Sequence, residues 1–178
     1  MQNLKAALAT LPKDAEWAGL REVREVLSHR VARDARPEQS HSWTTHGVMA
    51  EVLHQGQFGY AATADLSPSG LKSALAAAAE QARAAASFAV NRFEQTARPP
   101  VHRPSSSSHL QPLLQKTPAE VMGRLEEMCG WLKTSPKIVR TEAFALTAAT
   151  QIRFATSSGS EAEQACDLIT LAYNATAQ

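Results

Sequence analysis

The chain has 178 residues, enough for one domain with a hydrophobic core. Apolar residues make up 44% and charged residues 20%, which argues against a disordered chain, and a formal net charge of +1 gives no electrostatic basis for a nucleic-acid partner. No run of about 18 apolar residues is present, so no membrane contact is expected. Met1-Gln2-Asn3-Leu4-Lys5 lacks the basic-then-apolar order of a secretory signal, and a cytoplasmic protein is the expectation.

Asn3 to Leu11 reads as a short helix with Leu4, Leu8 and Leu11 on one side, stopped by Pro12. Trp17 to Val31 fits two periods: Trp17, Leu20, Val23, Leu27 and Val31 recur at helical spacing, while Val23, Glu25, Leu27, His29 and Val31 alternate as in a strand. Arg33 to Pro37 reads as a turn and the polar stretch Glu38 to Thr45 as an edge strand. From Gly47 to Leu53 apolar and polar residues alternate again, and His54-Gln55-Gly56 supplies a turn in which Gly56 takes positive φ without a Cβ clash. Gln57 to Ala61 resumes the strand, with Phe58 and Tyr60 on one face.

Ser67 suits an N-cap and Pro68 a first helical position, opening an alanine-rich helix to about Val90. Its predicted stripe is Leu71, Leu75, Ala78, Ala82, Ala85 and Phe88, with Ala79 off it. Residues 98–116 are rich in proline and serine and read as an exposed connector. Thr117-Pro118-Ala119-Glu120 is a capping box, opening a helix with Val121, Leu125, Met128 and Leu132 inward. Ile138 to Ala148, Gln151 to Thr156 and Glu161 to Thr176 read as strands. On the last, Cys166 and Leu168 share one face, and Ile169, Leu171 and Tyr173 are assigned to the other.

Gly47-Val48…Val52-Leu53, Gly56-Gln57-Phe58-Gly59-Tyr60-Ala61 and Leu66-Ser67 before an alanine-rich helix occur in that order. This arrangement resembles the N-terminal domain of the TldD/PmbA family, proposed modulators of DNA gyrase also described as metallopeptidases. The resemblance implies strands for Trp17 to Val31. It implies an α+β fold over residues 1–178: a twisted, mostly antiparallel sheet with two long helices, Pro68–Val90 and Pro118–Leu132, packed on one face. Two departures mark a divergent branch. Ala50 and Glu51 stand where the family often has arginine ahead of the valine, and Thr156-Ser157-Ser158-Gly159 replaces an Asn-Ser-Asp-Gly turn.

The family's metal motif is His-Glu-x-x-x-His, whose two histidines hold zinc beside a glutamate that polarises bound water. None of His29, His41, His46, His54, His102 or His109 is followed by glutamate, so no catalytic, cofactor-binding or metal residue is assigned. Zinc is expected only in a missing C-terminal half or a partner subunit. The resemblance implies a domain of a metallopeptidase subunit serving assembly and peptide enclosure. The expected partners are a TldD/PmbA-type subunit, in a homo- or heterodimer, and a peptide substrate. The alternatives are a non-catalytic assembly module beside a metal-bearing partner, or a gyrase modulator acting by protein contact.

Other residue groups favour plain readings. His41, His46, Glu51 and His54 form a metal-like cluster, but Glu51 has the opposite strand parity and the four read as polar strand positions. Asp34 and Glu38 flank Pro37 in a turn and read as solvated charges. Ser105 to Ser108 with His102 and His109 lack the strained turn of a nucleophile, and Arg98, His102 and Arg103 read as linker rather than a phosphate contact. Cys129 and Cys166 read as reduced core thiols.

Overall fold

The computed structural model describes residues 1–94, 99–106 and 116–178. The elements are α1 (Gln2–Leu8), β1 (Trp17–Arg33), β2 (Arg36–His54), β3 (Gln57–Thr63), α2 (Pro68–Ala86), β4 (His102–Ser106), α3 (Pro118–Leu132), β5 (Ile138–Thr156) and β6 (Glu161–Ala177). The fold is α+β, with a mostly antiparallel sheet in the order β3-β2-β1-β5-β6-β4. Two compact units emerge: one comprises Met1–Arg24, Thr45–Ser106 and Gln151–Gln164, the other Glu25–Thr44, Ser107–Thr150 and Ala165–Gln178.

Trp17–Arg33 is one continuous strand, as are the segments 36–54 and 138–156 that the sequence divides into shorter pieces. Helical spacing in β1 yields because both sheet faces there receive cover: Ala18 and Leu20 join the core under α2, while Trp17 and Gly19 are buried on the other side. The β1–β2 and β2–β3 turns use paired left-handed residues, Asp34 and Ala35 (φ 48° and 57°) and Gln55 and Gly56 (φ 47° and 75°). This sense of turn matches the twist of the flanking strands.

In the first unit α2 begins as its sequence dictates. Ser67 accepts a hydrogen bond from the Gly70 N–H and Pro68 occupies the first turn. The helix ends at Ala86, four residues before Val90, where Ser87 Oγ donates to the Ala84 carbonyl at 2.9 Å. Phe88 is therefore off the helix and 85% exposed, and the buried face is Leu71, Ala74, Leu75, Ala78, Ala79 and Ala82. Ala79 belongs to the core, contrary to the narrow stripe expected. A helix lying flat on a sheet buries a wide band, and alanine at adjacent positions permits that approach. Leu4, Ala7 and Leu8 of α1 complete this core with Val48, Ala50 and Val52.

In the second unit Thr117 and Glu120 form the expected reciprocal capping box of α3. The inward residues are Met122, Leu125 and Cys129, packed on Ala32, Ala143 and Ala145, whereas Val121 and Met128 are only half buried. The face is rotated from the expected one because alanines on the strands admit the helix nearest Cys129, whose thiol donates to the Ala32 carbonyl at 3.4 Å. Of the proline- and serine-rich stretch, residues 102–106 form β4 beside β6.

Candidate binding surface

The two faces of the β2–β3 hairpin in the first unit differ in chemistry. Register pairs Val52 with Gly59 and Ala50 with Ala61, and these face α2. It pairs Leu53 with Phe58, Glu51 with Tyr60 and Met49 with Ala62, which face away from it. Phe58 and Tyr60 thus lie on the side opposite the helix. Gly59 explains the choice: a Cβ there would stand 2.0 Å from the Ala78 carbonyl oxygen, so only this face lets α2 approach.

The side away from α2 is aromatic. Trp17 meets Phe58 edge-on at 6.1 Å, and Phe58 contacts Tyr60 at 6.3 Å and Phe93 at 5.4 Å. Phe93 is strapped there by its N–H, which donates to the Gly56 carbonyl at 2.9 Å. A cavity of about 460 Å³ lies beside these rings, lined by Gly19, Arg21, Met49, Glu51, Tyr60 and Phe154. Glu51 is only 5% exposed. A second cavity of about 450 Å³ sits where β3 ends, and it shares Arg21 and Met49 with the first. Aromatic rings, a thioether and a guanidinium form a surface suited to protein or peptide contact.

The histidines are held apart by separate bonds. His46 Nε2 donates to Glu22 Oε1 at 2.8 Å, and His54 Nδ1 donates to the Asp14 carbonyl at 2.8 Å. The His41 carbonyl accepts from buried Arg30 at 2.9 Å. Among the described residues no group of three or more His, Cys, Asp or Glu side chains could hold a metal ion. Asp34 accepts from the Thr141 N–H at 2.8 Å, while Glu38 pairs with Arg33. Asp34 thus ties the β1–β2 turn to β5, and Glu38 pairs with a residue across the same turn. The serine–histidine group and the Arg98/His102/Arg103 group lie outside the residues whose side chains are described.

Cys129 is buried and Cys166 is exposed, which corrects the core reading of the second thiol. Leu168, Leu171 and Tyr173 on β6 are each more than half exposed. In the first unit Arg83 is joined to Asp14 through two bonds of 2.7 and 2.8 Å. The Arg83 guanidinium holds the Asp14 carboxyl down at about 2. Sequence reasoning missed Arg30 and Glu51 as buried charges. Glu51 carried a signal, standing inside an otherwise apolar strand.

Residues 18–86 match the family described as PmbA/TldA metallopeptidase domain 1. No curated protein matches the chain in sequence. Among solved structures, a proposed DNA gyrase modulator from Bacteroides thetaiotaomicron aligns with a TM-score of 0.73 at 11% identity, covering 99% of this chain and 41% of that one. A second proposed gyrase modulator, from Thermotoga maritima, gives 0.76 at 12% identity over 99% and 40%. TldE from Thermococcus kodakarensis gives 0.64 at 10% identity over 99% and 42%. The chain spans about two fifths of the length of these structures. No helix among the described residues is long and apolar enough to cross a membrane. Residues 18–86 are thus similar to the first domain of the PmbA/TldD family, and the likeness to solved structures extends the same fold over nearly the whole chain.

Proposed function

We propose that this chain is the first domain of a TldD/PmbA-type metallopeptidase subunit, serving subunit assembly and the enclosure of peptide substrate, while a metal site outside it supplies the chemistry. The observation that carries this reading is the fold match, which covers 99% of the chain but only about two fifths of its structural relatives. The aromatic surface around Phe58 and Tyr60 supports a contact role. The exposed Leu168, Leu171 and Tyr173 favour a second reading, a purely non-catalytic assembly module beside a metal-bearing subunit.

The two are tested by metal analysis of the purified chain together with hydrolysis of unfolded casein and short peptides, with and without a metal-bearing TldD-type subunit. The chain alone is expected to hold no stoichiometric zinc and to cleave nothing. Altered peptide hydrolysis by the mixture supports the first reading, and unchanged hydrolysis with stable association supports the second. One tightly bound zinc per chain with chelator-sensitive cleavage by the chain alone overturns both.

A further inference from the structure

β3 stops where β2 does not. It covers β2 only from Val48 to His54, paired with Thr63 back to Gln57, whereas β2 also includes Thr45, His46 and Gly47. The direction of the main-chain groups follows from Tyr60, whose N–H donates to Gln81 Oε1 of α2 at 3.3 Å and so points away from β2. Successive residues of an antiparallel strand point their main-chain groups to opposite sides. Gly59, Ala61 and Thr63 therefore face β2, and their partners Val52, Ala50 and Val48 face β3. Two residues further back, His46 is the next whose N–H and C=O point into the line of β3.

That line is open because the chain turns off it. The Asp65 N–H donates to Thr63 Oγ1 at 3.0 Å, the Ser67 N–H donates to Asp65 Oδ1 at 2.9 Å, and Pro68 then starts α2. The space beyond is the open depression of about 450 Å³, lined by Thr45, His46, Gly47, Thr63, Ala64 and Arg21 among others. The outer edge of β3 is treated differently, since the Gln81 side chain of α2 caps the Tyr60 N–H.

We propose that β2 at Thr45–Gly47 takes an extended peptide as an added strand in line with β3. This deepens the peptide-handling reading above and rests on it. An extended backbone is the ligand that matches donors and acceptors alternating at strand spacing. The small side chains of Ala62 and Ala64 leave room for varied residues, so recognition runs through the main chain rather than through sequence.

The probe is a fluorescein-labelled, unstructured peptide rich in threonine and serine, followed by fluorescence anisotropy, with each residue in turn N-methylated. Methylation at residues whose N–H faces β2 is expected to weaken binding by about tenfold, and methylation at alternate residues to leave it unchanged. Ala64→Trp, at an exposed position, fills the depression and is expected to abolish binding, while Ala84→Trp on the exposed side of α2 does not. Equal binding by all methylated peptides, binding retained by Ala64→Trp, or no binding at all overturns the proposal. Where Ala64→Trp fails to fold, the methylation series on the unaltered chain decides. An unaltered chain that binds no peptide yet still associates with a metal-bearing subunit overturns this proposal and leaves the assembly reading standing, so the two failures are separable.

Discussion

Gly59→Ala sets the closest approach among the described glycines against a single methyl group. An ideal Cβ at Gly59 stands 2.0 Å from the Ala78 carbonyl oxygen, 2.5 Å from the Ala82 nitrogen and 3.0 Å from Gln81 Cβ. A carbon–oxygen contact relaxes at about 3.3 Å, so α2 would have to withdraw by more than about 1 Å. Two of the three obstacles are helix backbone, which no rotamer change can move aside. Overpacking of a core costs about 1–3 kcal/mol, and a rigid obstacle places this substitution near about 3 kcal/mol. That is a large fraction of the about 5–15 kcal/mol by which domains are stable. Gly123→Ala is the matched control, since nothing lies within 4 Å of its added Cβ inside α3. There the methyl group removes backbone entropy from the unfolded chain and is expected to stabilise by about 0.5–1 kcal/mol. Urea unfolding followed by circular dichroism measures both. A Gly59→Ala midpoint equal to that of the parent chain would refute the packing of α2 on β3.

The breadth of the α2 face predicts that Leu75→Ala costs about 2–5 kcal/mol and that Ala79→Lys is also strongly destabilising, both read from urea midpoints; tolerance of lysine at position 79 would contradict the wide buried band. Asp14, held at about 2 by Arg83 against an ordinary value of 3.8, contributes stability that is present above about pH 4 and lost as pH falls toward 2. Asp14→Asn should flatten thermal stability against pH in that window, and an unchanged profile would show the pair to be without effect. Native protein should release colour from a thiol reagent with Cys166 alone, Cys129 reacting only on unfolding; two fast thiols would place Cys129 outside the core.

The features legible in the sequence are those made by neighbours in the chain. Ser67 with Gly70, Thr117 with Glu120, and the left-handed Gly56 are short-range bargains between a side chain and nearby backbone, and each stands where the residues indicated. Faces were harder, because alternation divides a strand into two sides without saying which side a helix will cover. The signal for β3 was present in its small residues: Gly59 and Ala61 mark the helix side, since an alanine-rich helix seeks small partners, and Phe58 and Tyr60 are left for the other. On β6 the parity of Cys166 gave a face but not its cover. The candidate surface was illegible for a further reason. Its residues come from β1, β2, β3 and β5, and only the sheet order brings Gly19, Glu51, Tyr60 and Phe154 to one cavity.

The most direct test of the central claim is the light-scattering mass of the chain across a concentration series, alone and mixed with a metal-bearing TldD-type subunit. A domain made for assembly is expected to self-associate or to enter a complex of defined stoichiometry. Leu171 is 53% exposed, so Leu171→Glu should shift the population toward monomer while leaving the unfolding midpoint in place. A chain that stays monomeric at every concentration, ignores the metal-bearing subunit and unfolds on that substitution would contradict the account.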